Sequence, residues 1–114
     1  MNDRILVVCD DLFFWAQIHG KASALGRAAF RVADEAAMER AWEERGVCKV
    51  VVDLDSRSLD GIAWGAKWKS LPDPPKLIGF VSHVDLDTQE RARRAGFDLI
   101  LPKSRFTRTL SELL

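Results

Sequence analysis

Polar side chains that could act on a phosphoryl group or hold a metal ion follow four short apolar runs of this chain. They are Cys9, Asp10 and Asp11 after the first run, Asp53 and Asp55 after another, Ser82 and His83 after the next, and Lys103 after the last. A hard cation such as Mg²⁺ binds through one or two carboxylates and keeps several waters, while a lysine supplies positive charge to a phosphoryl group. An aspartate near both is a candidate nucleophile for forming an aspartyl phosphate.

These side chains can meet only if the apolar runs are strands of one sheet. Strand-like runs are predicted at residues 5–8, 50–52, 77–81 and 99–101, with a weaker one at residues 29–32. Three of them are nearly continuous in Val, Ile and Leu. That pattern is typical of strands covered on both faces in a parallel sheet.

Segments of helical length separate the runs, and three of them carry an apolar stripe. The stripes are Phe14, Ile18, Ala22 and Leu25, then Met38, Ala41 and Trp42, and then Trp64, Trp68 and Leu71. Asp34 is predicted to cap the second helix and Gly46 to end it. Asp87 and Glu90 predict a capping box for the fourth helix, and residues 106–114 are left for a short final one.

Strand and helix therefore alternate five times along the chain. This order predicts one α/β domain over residues 1–114, a doubly wound five-stranded parallel sheet with helices on both faces, of the flavodoxin-like type. In such open sheets the ligand crevice lies at the carboxyl ends of the strands. Because the polar residues named above all follow a strand, we expect them to converge at that edge.

The composition restricts the classes of partner and compartment. Lys plus Arg and Asp plus Glu number 17 each, so no net charge favours nucleic acid or an anionic membrane. The first residues contain neither a signal-peptide core nor a membrane span, which predicts a cytoplasmic protein. Cys9 and Cys48 are far apart and match no zinc pattern, so two free thiols are expected.

Three segments resemble the receiver domains of two-component response regulators, and their order and spacing extend the resemblance over essentially the whole chain. Residues 4–11 (RILVVCDD) resemble the strand that ends in paired acids. Residues 50–54 (VVVDL), followed by residues 59–61 (LDG), are similar to the acceptor strand and its loop. Residues 96–103 (GFDLILPK) resemble the last strand, with the family's spacing from the glycine to the lysine.

The resemblance implies a role for each matching residue. Asp53 would be the phosphoacceptor, and Lys103 would pair with Asp53 or with its phosphoryl group. Asp10, Asp53 and the backbone carbonyl of Asp55 would be the ligands of a Mg²⁺ ion. The fold expected from the resemblance is the same α/β fold that the strand and helix pattern predicts.

Several positions depart from the family's pattern. Cys9 occupies the first position of the acidic pair, and a soft thiol is a poor Mg²⁺ ligand, so metal affinity should fall. Val81 stands where the family has a Thr or Ser, and Ser82 can replace that hydroxyl only if the strand end is shifted by one residue. Ile100 replaces the usual Tyr or Phe, and Pro102 precedes the lysine instead of following it.

Two further positions, Asp55 and His83, tend in this family to govern water access to the phosphoryl group. An ionised Asp55 would repel a phosphorylated Asp53, whereas His83 could pair with Asp55 or shield the site. The alternative is that both are unrelated loop side chains. The sequence leaves these interpretations open.

The function predicted from these features is that of a stand-alone receiver-like signalling module acting through protein contacts. In one version a histidine kinase phosphorylates Asp53 with Mg²⁺; in the other a degenerate receiver binds partners without phosphorylation. Phe13, Phe14 and Trp15 cannot all face inward on one helix, so an exposed aromatic side chain is expected, and that surface is a candidate for contact with a protein partner, including a second copy of the chain. No enzymatic activity beyond phosphorylation and dephosphorylation at Asp53 is predicted.

The alternative of a different class is a small flavodoxin-like domain that binds a nucleotide or a flavin, because a fold does not fix a function. Such a domain needs a Gly-rich or Ser/Thr-rich loop after the first strand to bind phosphate. Residues 9–14 (CDDLFF) are instead acidic and bulky.

Overall fold

The computed structural model describes residues 4–43, 47–56, 59–82 and 85–114. Its elements, in chain order, are β1 (Arg4–Val8), α1 (Leu12–Ala24), β2 (Ala28–Val32), α2 (Glu35–Glu43), β3 (Val47–Asp53), α3 (Gly61–Lys69), β4 (Lys76–Val81), α4 (Leu86–Ala95), β5 (Leu99–Pro102), α5 (Lys103–Arg108) and α6 (Leu110–Leu113). The strands form one parallel sheet in the order β2-β1-β3-β4-β5. The predicted five-stranded α/β fold is therefore confirmed.

Helices cover both faces of the sheet, which explains why the central strands are apolar at nearly every position. Alternate residues of each strand point to opposite faces. One face packs with α2, α3 and α4 around Leu6, Val8, Val50, Val52, Leu77, Met38, Trp64, Trp68 and Ala92. The other face packs with α1, α5 and α6 around Ile5, Val7, Val51, Ile78, Phe80, Ile18, Ala22, Phe106 and Leu110. Full burial of a Val, Leu or Ile side chain stabilises the fold by roughly 1.5–3 kcal/mol.

Aspartate side chains cap the first four helices by accepting backbone N–H groups of the first turn. Asp11 caps α1, Asp34 caps α2 as predicted, Asp60 caps α3 and Asp85 caps α4. The capping box predicted at Asp87 is wrong, because Asp87 lies inside the first turn of α4. Asp85 caps that helix better because its carboxylate accepts both the amide and the hydroxyl of the residue three positions later.

The end of the chain also differs from the prediction. Two short helices replace the single helix expected over residues 106–114, and the first of them begins at Lys103, directly after Pro102. The apolar pattern begins only at Phe106, so it missed the polar first turn.

Gly96 ends α4 in the left-handed conformation, at φ 102°. The predicted stop at Gly46 lies outside the described residues.

The aromatic side chains divide between core and surface as expected. Trp64 and Trp68 are buried, and Trp42 packs edge-on against both. On α1, Phe14 packs on Phe80 while Phe13 is 69% exposed, so the expected exposed aromatic side chain is present.

None of the helices in the described part of the chain is long and apolar enough to span a membrane.

Candidate functional site

Asp53 lies at the centre of the carboxyl edge of the sheet, as the last residue of β3. Its side chain is 4% exposed, although β3 is otherwise apolar toward that end. One carboxylate oxygen, Oδ1, accepts the backbone N–H of Asp55 at 3.0 Å. The other, Oδ2, is 4.0 Å from the Sγ atom of Cys9, the residue that follows β1. The predicted acceptor is therefore buried beside a thiol.

Lys103 approaches Asp53 from the next strand but one. The pairing of Val81 with Pro102 brings the end of β5 level with the end of β4, so the first residue of α5 lies at this edge. The Nζ atom of Lys103 is 4.0 Å from Oδ1 of Asp53 and 3.1 Å from Oδ2 of Asp55. It also lies 5.3 Å from the centre of the Phe14 ring. The structure thus brings Lys103 to the site but places it closer to Asp55 than to Asp53.

Asp55 connects two separate parts of this edge, the residue after β4 and the first residue of α5. Its Oδ2 atom accepts the backbone N–H of Ser82 at 3.0 Å as well as contacting Lys103. Asp55 thus contacts two other groups of this edge, and its role in controlling water access to a phosphoryl group stays a prediction. The possible pairing with His83 falls outside the described residues.

The two acids after β1 have different positions. The Asp10 side chain is exposed at the sheet edge, and its Oδ2 accepts the hydroxyl of Ser56, in the loop that follows Asp53, at 3.1 Å. Asp11 instead accepts the amides of Phe13 and Phe14 as the cap of α1. Asp10 therefore contacts the loop that follows Asp53, whereas Asp11 caps the N-terminus of α1.

Two of the positions that depart from the family's pattern, Val81 and Ile100, carry side chains without a polar group. Val81 is fully buried at the end of β4, and Ile100 packs against the core from β5. Ser82 follows β4 and offers its backbone amide, which Asp55 accepts. A hydroxyl at the strand end, as expected in the family, is therefore replaced by a methyl-bearing side chain.

Burial shapes the charges of this site. Desolvation raises the pKa of the Asp53 carboxyl, and the nearby Lys103 charge and the Asp55 N–H only partly oppose it. Desolvation also raises the pKa of the Cys9 thiol to about 11, so the thiol is protonated at neutral pH. For Lys103, desolvation alone would lower the pKa, but the hydrogen bond to Asp55 and the charges of Asp53 and Asp55 outweigh it and raise the pKa.

The donor groups at the site fit a magnesium ion poorly. Across the described ranges, no three or more His, Cys, Asp or Glu side chains are grouped so that they could hold a metal ion. The predicted ligands Asp10 and Asp53 are carboxylates and Asp55 would add a carbonyl oxygen, but a protonated Cys9 thiol stands where a further carboxylate is expected. A hard cation gains little from a neutral thiol. The Mg²⁺ site stays a prediction.

Three contacts of this edge were not predicted from the sequence. The Arg31 side chain on β2 donates from Nε to the backbone carbonyl of Cys9 at 3.0 Å, and Ser56 donates to Asp10. The ring of Phe14 lies near the Lys103 ammonium. The sequence holds a signal for the first of these contacts, since Arg31 is a charged residue inside an otherwise apolar strand.

Comparison with known proteins supports the fold independently. Neither the protein-family models nor the curated proteins include a match to this chain. Among solved structures, the signal receiver domain of a response regulator from Bermanella marisrubri matches with a TM-score of 0.84 and 21% identity, over 99% of this chain and 95% of that one. A CheY-like response regulator receiver domain protein from Methanospirillum hungatei matches with a TM-score of 0.84 and 20% identity, over 99% and 90%.

A longer protein matches in one part only. NtrX from Brucella abortus is similar with a TM-score of 0.81 and 24% identity over 99% of this chain, which spans 26% of that protein. The TM-scores establish the fold, and identities of 20–24% do not by themselves transfer a function. The chain has the fold of response-regulator receiver domains.

Proposed function

We propose that this chain is a receiver-type signalling module that acts through contact with a protein partner and does not need phosphorylation of Asp53. The observation that carries the proposal is the contact of Asp53 with a buried thiol. Oδ2 of Asp53 faces the Cys9 Sγ at 4.0 Å, where a metal-binding site would need a carboxylate. The receiver fold supports the signalling role, and the exchanged residues support independence from phosphorylation.

The charges at the site argue against an efficient phosphoacceptor. Phosphoryl transfer needs positive charge around the phosphoryl oxygens, usually from metal ions together with a lysine. Here Lys103 is shared between Asp53 and Asp55, and the metal-ligand set lacks a carboxylate at Cys9. Burial already disfavours the single negative charge of Asp53. A phosphoryl group would add further negative charge to the same place.

A protein is the partner class best supported by the surface. Leu12 and Phe13 are 64% and 69% exposed at the start of α1, and adjacent exposed apolar side chains favour protein contact. The zero net charge gives no comparable support for nucleic acid. A second copy of the chain is one form of this partner. Light scattering of wild type and Phe13→Ser tests it, since a dimer built on this surface would dissociate in the variant.

The flavin- or nucleotide-binding alternative receives no support from the first helix. A phosphate bound there would need the free amides at the N-terminus of α1. The Asp11 carboxylate accepts the amides of Phe13 and Phe14, at 2.9 and 3.4 Å. A fixed negative charge thus occupies the place where a phosphate would bind.

Intact-mass measurement after incubation with acetyl phosphate and Mg²⁺ tests the proposal. We expect wild type to keep its mass, while a receiver domain of known phosphoacceptor activity, treated in parallel, gains one phosphoryl group. Asp53→Ala serves as the matched variant. A phosphoryl group gained by wild type and absent from Asp53→Ala would show that Asp53 is an acceptor, and the histidine-kinase version would then replace the proposal.

A further inference from the structure

One oxygen of Asp55 is held by two donors that follow different strands, one after β4 and one at the start of α5. Oδ2 of Asp55 is 3.1 Å from the Nζ atom of Lys103, after β5, and 3.0 Å from the backbone nitrogen of Ser82, after β4. The chain turns back at this point because the Asp55 N–H is bonded to Oδ1 of Asp53. The Asp55 carboxylate is therefore positioned beside the Asp53 carboxylate.

An ammonium and a backbone amide that converge on one point form a typical binding site for an oxyanion. The same Lys103 ammonium lies 4.0 Å from Oδ1 of Asp53. An oxygen of a phosphoryl group attached to Asp53 could reach both Lys103 and the Ser82 amide only at the place that the Asp55 carboxylate occupies. The two donors are thus already paired with an anion that belongs to the chain.

We propose that the Asp55 carboxylate is a built-in anion that takes the place of a phosphoryl oxygen between Lys103 and Ser82, and so joins the residue after β4 to the start of α5 without phosphorylation. This inference rests on the proposed function and extends it, since it names the group that replaces the phosphoryl group. A phosphoryl group on Asp53 would have to displace Asp55 and would be repelled by it. The loss of a hydroxyl at Val81 also becomes understandable, because no phosphoryl oxygen needs it.

Hydrogen exchange of the Ser82 amide measures the contact directly. In Asp55→Ala the amide loses a hydrogen bond to a charged acceptor, so we expect exchange about 10- to 100-fold faster than in wild type. Asp55→Asn keeps an oxygen acceptor without the charge, so a smaller increase is expected, and this variant also serves if the alanine variant does not fold. Asp60→Asn is the matched control, because it removes one charge from a nearby loop while keeping a good helix cap.

Rescue by small anions separates an anion site from a purely structural bond. In Asp55→Ala we expect formate or inorganic phosphate to slow Ser82 exchange in a saturable manner, whereas neither anion should change the exchange in wild type. The rescue should disappear in Asp55→Ala combined with Lys103→Ala. Equal Ser82 exchange in wild type and Asp55→Ala, or a lack of rescue in the folded variant, would overturn the inference.

The two proposals fail in different experiments. Phosphorylation of wild-type Asp53 by acetyl phosphate would overturn the proposed function whatever the exchange rates are. Unchanged Ser82 exchange in the Asp55 variants would overturn only the role of Asp55. Wild type that stays unphosphorylated while Ser82 is released in Asp55→Ala is the outcome that both proposals require.

Discussion

Replacing Asp53 by asparagine should stabilise this protein at neutral pH. The Asp53 side chain is 4% exposed, and burying an ionised carboxylate costs several kcal/mol. The nearest ammonium, on Lys103, is 4.0 Å away and is shared with Asp55, so it offsets this cost only in part. An asparagine oxygen can still accept the Asp55 N–H, so the substitution removes the charge and keeps the main hydrogen bond.

The direction of the pKa shift sets the sign and the pH window of this effect. The pKa of Asp53 is raised in the folded protein, chiefly by burial, above the value of about 3.9 for an unfolded aspartate. At a pH between these two pKa values, the Asp53 carboxyl is protonated in the folded state and ionised in the unfolded state. Wild-type stability therefore falls as pH rises through this interval, and Asp53→Asn does not share that fall.

Because the substitution removes a buried charge that is only partly paired, we expect Asp53→Asn to be more stable at pH 7 by about 1 kcal/mol, an ordinary size for the effect of one substitution. For a domain of this size that is an increase in Tm of about 4–8 °C. Urea unfolding followed by tryptophan fluorescence, in buffer with a chelator, measures the difference at pH 7 and again near pH 4. Asp60→Asn is the control for a loss of exposed charge. Equal or lower stability of Asp53→Asn at pH 7, or a gain that is the same near pH 4, would refute the reasoning.

Three further predictions concern packing, thiol reactivity and a surface ion pair. Gly65→Ala would place a methyl carbon closer to the Phe97 ring than van der Waals contact allows. The free energy of unfolding should therefore fall by about 1–3 kcal/mol in urea titrations. Cys9 is buried with a thiol pKa of about 11, so iodoacetamide at pH 8 should modify it only after unfolding, as peptide mapping would detect. Burial alone would raise the pKa of Asp98, but the hydrogen bonds from Lys69 and the Leu77 N–H, together with the charge of Lys69, outweigh it and the pKa is lowered. The stability advantage of wild type over Asp98→Asn should thus be constant above about pH 5 and shrink in more acidic buffer.

The sequence determined the architecture because strand and helix patterns repeat in a fixed order. Continuous Val, Ile and Leu runs predicted strands that are covered on both faces, and β1, β3 and β4 are buried in that way. Once the strands are parallel, residues that follow them must share one edge. The order of the strands therefore predicts that Asp53 and Lys103 lie at the same edge of the sheet, where the structure places them.

Local capping was predicted less well, because two neighbouring aspartates compete for the start of α4 and none marks the start of α5. Asp34 was identified, but Asp85 was passed over in favour of Asp87, and the first turn of α5 was missed. The choice between neighbouring caps depends on which carboxylate also finds a second donor, and a sequence pattern does not contain that information.

Only the tertiary structure decided which charges pair within the site. From the sequence Lys103 was expected to face Asp53, yet its ammonium is 3.1 Å from Asp55 and 4.0 Å from Asp53. Differences of about 1 Å depend on the loops after β3 and β4, and in particular on the Ser82 amide that fixes the Asp55 carboxylate. Residue types and spacing determine which groups reach the edge of the sheet, whereas loop conformation and burial determine which of them bind one another.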